Sequence, residues 1–369
     1  MTKYLLTCMI ICSFAIAAEP AGVVEWQKKR DLVTGRFVWQ ITDHDSASET
    51  VYNENQAFTA DDRYIVFGSN RSGYPQIYRA DLQSGEILAV SDKRIAGRVT
   101  IGPEGQHVWY IHDNVLYKTH IESRRDVPVM DFRKHFSDDV QFSRSFTKDG
   151  VFTLVYTQSE SQKHLYRVNL RTKEIEKVMS KSAFGHPQMC PTNPDLVSFA
   201  QRPDTQNDMS LPMEKRTHTW VVNMKTGEHS RILTMPYGFR LTHPTWAADG
   251  KGFFFFRKTV PGWLPVTICS QNLDGTGFRE YTTHSIIRLG HGVSSADGKW
   301  FVSDGQDPHF NPIMLINLIT GEETILCWPN SSIYNQHVHP SLSQSGKFVA
   351  YTSDISGTSQ VYVVPTGID

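Results

Sequence analysis

Histidine recurs at one place in a repeated pattern. His186, His243, His291 and His339 stand at one aligned position, seven residues before the glycine of a polar turn or the residue equivalent to it. The same position holds Asn55, Arg98 and Ser143 in the three earlier copies. The chain has only 15 histidines in 369 residues, so four at one position mark a place where imidazoles are wanted together. His337-Val338-His339 adds a second signal. In a strand, residues i and i+2 point to one side, so both rings can chelate one ion. His291, from the preceding copy, offers a third nitrogen, and the neighbouring Gln336 offers an amide oxygen. Nitrogen and oxygen donors without thiolate suit several divalent metals, and the open positions left over suit catalysis rather than structure. A neutral imidazole outside that set, such as His243, can act as a base near neutral pH.

Such residues, far apart in the chain, need a ring-like scaffold to meet. The pattern recurs every ~40 to 55 residues, a period typical of propeller blades. Each copy has a short strand, a turn of the type S/A-x-D-G, an apolar strand, a polar gap, a second apolar strand and a closing turn. "FTADDRYIVFGS" with "PQIYRADL", "TKDGVFTLVYT" with "HLYRVNL", and "SADGKWFVSDG" with "IMLINLI" are clear examples. Seven copies start near Asn55, Arg98, Ser143, His186, His243, His291 and His337. The last lacks a fourth strand, while "GRFVWQIT" (35–42) lies unpartnered before the first. The fold expected is all-β: a seven-bladed β-propeller of four-stranded antiparallel blades, its ring closed by the N-terminal strand completing the last blade. Residues 19–369 form that single domain. The innermost strands line the channel, which brings the aligned histidines to its mouth.

Composition narrows the function. The chain is 39% hydrophobic and 20% charged with a net charge of -1, and no charge run argues for nucleic acid or an anionic membrane surface. Lys3 followed by an apolar stretch and Ala15-Ile16-Ala17 reads as a cleaved signal peptide over residues 1–18. A periplasmic or secreted protein without membrane attachment in its mature form is expected. Cys190, Cys269 and Cys327 are too few and too scattered for a disulfide framework and read as buried apolar residues. "FFFF" (253–256) reads as a strand covered on both faces, and Trp246, Trp300 and Trp328 as blade packing. Arg71 and Arg202 fall in rim loops, and the polar stretch 204–216 is a long loop near the mouth. A peptidase or esterase domain would need G-x-S-x-G, which does not occur.

From about Arg30 onward the chain resembles the oligogalacturonate lyase family, polysaccharide lyase family 22, within a wider group of periplasmic propellers that includes TolB. The segments that carry the resemblance are "FGHPQMCPTNPDLVSFAQ", "THPTWAADG", "HGVSSADGKWFVSDG" and "HVHPSLSQSGKFVAYTSD". The resemblance implies metal-assisted β-elimination of oligogalacturonate, or a related acidic oligosaccharide, to a 4,5-unsaturated product. It implies a manganese ion on His291, His337 and His339. The family's glutamine ligand falls at Tyr334 here, with Gln336 the nearby substitute. His243 corresponds to the base. His218 stands where the family has an arginine, and Arg216 is a possible replacement. The stretch "AQRPD" (200–204) differs from the family's corresponding segment. Substrate contacts are expected from His186, Arg202 and Arg98. A non-catalytic, TolB-like binding or scaffold propeller is the alternative.

Overall fold

The computed structural model describes residues 22–368 except 96–98, 207, 213, 214, 217, 233–237, 285, 286, 308 and 333–336. The segment read as a signal peptide lies outside the described residues. The strands form seven antiparallel sheets, the blades of a propeller. Blade 5 is representative. Its strands Phe239–Trp246, Gly252–Thr259, Val266–Asn272 and Arg279–His284 pair in chain order from the channel outward. The turn between the first two is set by Gly250, whose φ of 70° lies in the left-handed region that a Cβ disfavours. Glycines at the corresponding turns of four other blades (Gly105, Gly150, Gly298, Gly346) adopt φ between 69° and 79°. One helical element, the short 3-10 turn Phe132–Lys134, is found among the described residues. No helix there is long and apolar enough to cross a membrane.

Packing follows from the period-two alternation of a strand covered on both faces. Phe253 and Phe255 pack with Cys190, Val221 and Leu241, filling the seam toward blade 4. Phe254 and Phe256 pack with Leu289, Phe301 and Met314 in the seam toward blade 6. Each of the four is at most 7% exposed. One sheet thus supplies alternate side chains to two interfaces, and the ring is held by such shared seams. Trp246 is buried in the first seam, whereas Trp300 and Trp328 are half-buried at blade edges. The three cysteines are buried and unpaired.

The blades are not all four-stranded. Val23–Val24 adds an outer strand to blade 1, and Gln27–Arg30 adds one to blade 7. Both are fully solvent-facing and the second is polar and cationic, a composition that discourages a sheet edge from pairing with other chains. Blade 7 runs Gln27–Arg30, Phe37–Gln40, Gln360–Pro365, Phe348–Ser353, Ser341–Leu342. Trp39 faces Val363, and Thr42 Oγ1 donates to Gln360 Oε1 at 2.6 Å.

Candidate metal and substrate site

The innermost strands bulge where the histidines lie. In blade 4 the register steps from Gly185 opposite Ala200 to Gln188 opposite Ser198, and in blade 5 from Thr242 opposite Phe256 to Thr245 opposite Phe254. His186 and His243 sit at these irregular positions with φ of 45° and 47°, and His339, just before the strand Ser341–Leu342 of blade 7, has a φ of 47°. A bulge leaves residues unpaired and re-aims a side chain. Here it turns His186 and His243 toward the central cavity, which both line. Each of the three is followed by proline, which has no N–H to lose from the interrupted ladder. Left-handed backbone at non-glycine residues is strained by roughly 1–3 kcal/mol each, and strain of this kind concentrates at functional positions. In blade 3 it is Arg144, with φ of 65°, that takes the left-handed position. Ser143, aligned with the histidines by spacing, is not the left-handed residue, because the bulge there is displaced by one residue.

Three imidazoles converge. One ring nitrogen from each of His291, His337 and His339 lies within 4.8 Å of the others. The ring centroids of His291 are 4.3 Å from His339 and 5.2 Å from His337. His291 is 5% exposed and is fixed from behind by Asp304. Its backbone N–H donates to Asp304 Oδ1 at 2.7 Å and its Nδ1 to Oδ2 at 3.0 Å. That bond selects the tautomer with Nε2 free as a ligand, the carboxylate–histidine arrangement common behind metal centres. Tyr52, 7% exposed, packs against the group, with centroids 4.7 Å from His339, 5.8 Å from His291 and 5.9 Å from His186. Three nitrogen donors, one of them oriented by a buried carboxylate, fit a divalent ion with open coordination positions. Gln336 and Tyr334 lie outside the described residues.

His243 stands beside this group, its ring 4.7 Å from that of His291. Its Nδ1 is buried and has no hydrogen-bond partner. A purely structural histidine so enclosed would normally be bonded, so this ring is left free for a ligand. Burial, followed by the neighbouring His291, Lys258, His186 and His218, holds its pKa well below the usual 6.5, which keeps it neutral.

A cavity of about 320 Å³ joins these elements, at the lower end of the ~300–1,000 Å³ typical of small-ligand sites. His291 and His337 lie on its wall, together with His186, His218, His243 and Arg202. His218 is 8% exposed, its Nδ1 2.7 Å from Thr219 Oγ1. Burial first, and then the charges of Arg202 and Arg240 against the opposing pull of Asp204, lowers its pKa to about 4. His186 retains solvent contact. Partial withdrawal from water, then Arg202, His218 and Arg144, brings it to about 4 as well. Arg216 is not brought to the cavity. It is 3% exposed and its Nε donates to Leu211 O at 2.9 Å, so it braces the 204–216 loop. Arg98 lies outside the described residues. Arg71 is tied to Glu25 at 2.9 Å and is likewise not among the residues lining this cavity.

The structure adds residues that spacing alone did not mark. Arg240, Lys258, Arg288 and Trp263 line the same cavity, and Asp304 and Tyr52 order the histidines. Asp304 lies in "SDGQ", on the strand beside that of His291. Its signal would have been an acidic residue in an otherwise apolar strand of the blade that supplies a ligand. Lys258 carried a similar signal, as a cation two residues past the run of phenylalanines, in the same strand.

The depressed histidines carry a consequence for stability. A histidine whose folded pKa lies below its unfolded value binds more protons when unfolded, so stability is present above about pH 6.5 and is lost as pH falls toward 4. The metal-free protein should lose stability across that window. His218→Gln should flatten the loss, by about 1–3 kcal/mol between the two ends of the range. Urea unfolding at pH 7 and pH 4.5 measures it, and an unchanged pH slope in the variant would refute the assignment to His218.

No family model matches the chain. An oligogalacturonate lyase of Dickeya dadantii (strain 3937) is 22% identical over 382 aligned positions, covering 90% of this chain and 94% of that protein. An oligogalacturonide lyase of Pectobacterium atrosepticum is 24% identical over 228 positions, 54% of each chain. Among solved structures, an oligogalacturonate lyase in complex with manganese superposes with a TM-score of 0.79 at 19% identity, covering 94% of this chain and 98% of that one. An oligogalacturonate lyase from Vibrio parahaemolyticus superposes with a TM-score of 0.77 at 19% identity over the same shares. The structural likenesses establish the propeller fold.

Proposed function

We propose that this chain, similar to oligogalacturonate lyases along nine-tenths of its length, is itself a lyase that cleaves short uronate oligosaccharides by β-elimination. The observation that carries the reading is the convergence of His291, His337 and His339 beside an imidazole, His243, whose buried Nδ1 has no hydrogen-bond partner. A binding propeller has no use for that pairing.

The chemistry follows from the substrate. The C5 proton of a uronate is weakly acidic, because its removal places a second negative charge next to a carboxylate. A divalent ion on the three histidines, manganese by analogy with the solved relative, would offset charge on the carboxylate oxygens. His243, held neutral by its surroundings, accepts the C5 proton. Asp304 keeps the His291 ring in place, and Tyr52 packs against the ring of His339. His218 and Arg202 lie along the same wall. Arg202 supplies cationic charge toward the acid groups of the sugar, and His218, at the place of the family's arginine, packs beside it as a neutral donor or acceptor. The glycosidic oxygen departs from C4 with its electron pair and takes up a proton, leaving a C4–C5 double bond. A cavity rich in arginine and lysine favours an acidic oligosaccharide over a neutral one. Export to the periplasm or the medium, read from residues 1–18, belongs to the same proposal and fits three free, buried cysteines that make no demand on the redox state of the compartment.

The direct test is incubation with di- and trigalacturonate, following ultraviolet absorbance of the conjugated product. The expected result is a rise that a chelator abolishes and added manganese restores. No rise with any galacturonate oligomer, in protein shown to contain metal, would overturn the proposal.

A further inference from the structure

Blade 5 places like charges directly across from one another. Arg240, on its innermost strand, is the cross-strand partner of Lys258 on the next, a pairing that is destabilising unless something offsets it. Lys258 is 1% exposed, and an ammonium so enclosed is rarely tolerated without an anion. Arg288 approaches from the segment entering blade 6. The indole of Trp263, on the loop 260–265 of blade 5, lies between them. Its ring centre is 5.1 Å from the Arg240 guanidinium, 4.8 Å from that of Arg288 and 5.4 Å from Lys258 Nζ.

The charges are incompletely answered. Asp204 takes one bond from Arg240 Nη2 at 2.9 Å. The Nε atoms of Arg240 and Arg288 are both buried without a hydrogen-bond partner, which costs about 1–3 kcal/mol each when nothing fills the gap. Among the described residues, no carboxylate forms an ion pair with Lys258 or Arg288. All four side chains line the cavity that also holds His243 and His291. Orphaned guanidinium donors, a buried ammonium and a repulsive cross-strand pair are what an anion-binding site looks like before its ligand arrives.

We propose that Arg240, Lys258 and Arg288, spaced by Trp263, hold the carboxylate of the uronate adjoining the one that loses its proton, and so require acidic sugars on both sides of the scissile bond. This rests on the lyase reading of the same cavity. The indole fixes the separation of the cations and offers a face to the apolar side of the sugar ring. Consistent with this, burial and then the charges of Arg288 and Arg240 bring the Lys258 pKa down to about 7, opposed by Asp304; a bound carboxylate would keep the ammonium charged.

The test compares digalacturonate with its analogue methyl-esterified only on the non-reducing sugar, in the metal-loaded full-length protein, its Arg288→Met variant and its Lys258→Met variant. Esterification should lower kcat/KM of the parent on the order of 10–100-fold, the worth of a charge-assisted bond. Each variant should lose a similar factor on the free acid, mainly in KM, and scarcely distinguish the two sugars. Circular dichroism and melting should show both variants folded, since removing an unpaired buried cation relieves repulsion. A parent that treats acid and ester alike, or folded variants that still prefer the acid, would overturn the proposal. If neither sugar is cleaved by the parent, the lyase reading fails by itself. Calorimetric binding of the same two sugars then decides the carboxylate site: tighter binding of the acid, lost in Arg288→Met, supports it, and equal binding or none refutes it.

Discussion

His243→Gln is expected to lower the elimination rate by about 10²–10⁴-fold while leaving metal content and KM nearly unchanged. Glutamine roughly matches the imidazole in size and polarity and cannot take up the C5 proton. The variant should fold, because Nδ1 of His243 holds nothing else in place. The ring packs 6.4 Å from Phe256 and 4.7 Å from His291, contacts a glutamine can largely keep. The loss belongs in kcat, since a group acting only in the transition state leaves ground-state binding alone. Rate measurements at saturating oligogalacturonate, with metal analysis of the same samples, decide the matter. A variant that retains more than a tenth of the activity would assign proton removal to another residue, with His218 the next to examine.

Removing the metal ligands should have the complementary signature. His339→Ala should lose both bound metal and activity, with the residual rate insensitive to chelator. Two nitrogens, one of them on the exposed His337, make a poor site for an ion that competes with water. Asp304→Asn probes the support behind the ligands. An amide can no longer hold His291 Nδ1–H with a charged acceptor, and metal affinity should fall about 10–100-fold, with activity recovered at high metal concentration. That recovery separates orientation of a ligand from its loss. Titration of metal-stripped protein by calorimetry gives both affinities. Unaltered affinity in His339→Ala would break the three-histidine assignment.

Much of the propeller was legible because its signals are local and repeated. A turn that needs glycine at φ near 70° recurs in five blades, and the phenylalanine run of blade 5 reports a strand covered on both faces. The meeting of His337 and His339 was legible only in part: the spacing suggested one face of a strand, whereas both precede the strand Ser341–Leu342 and His339 takes a φ of 47°, so the pleat does not bring their rings together. The cationic wall was not legible. Arg240 and Lys258 lie on different strands and Arg288 on the segment before blade 6, and only the cross-strand register and the folding of the 260–265 loop bring them to one indole. Asp304 was missed for the same reason: it is 13 residues from His291 in the chain and becomes its partner through strand pairing. Ser143 was aligned with the histidines by counting, and counting fails where a bulge shifts by one residue. Arg216 was judged by nearness to His218 in sequence, although its guanidinium turns inward to a loop carbonyl.

The join in blade 7 gives the order in which this molecule can assemble. Thr42 and Gln360, bonded to each other, are 318 residues apart, and closing a flexible loop of that length carries an entropy penalty of about 5 kcal/mol beyond a constant. Contacts so distant form late. His337 and His339 precede the innermost strand, Ser341–Leu342, of the blade that this join completes, so their placement is tied to that closure. An ion that binds only the finished arrangement draws the two chain ends together by mass action. Loosening the outer join should in turn weaken metal binding, although neither Thr42 nor Gln360 belongs to the three converging histidines.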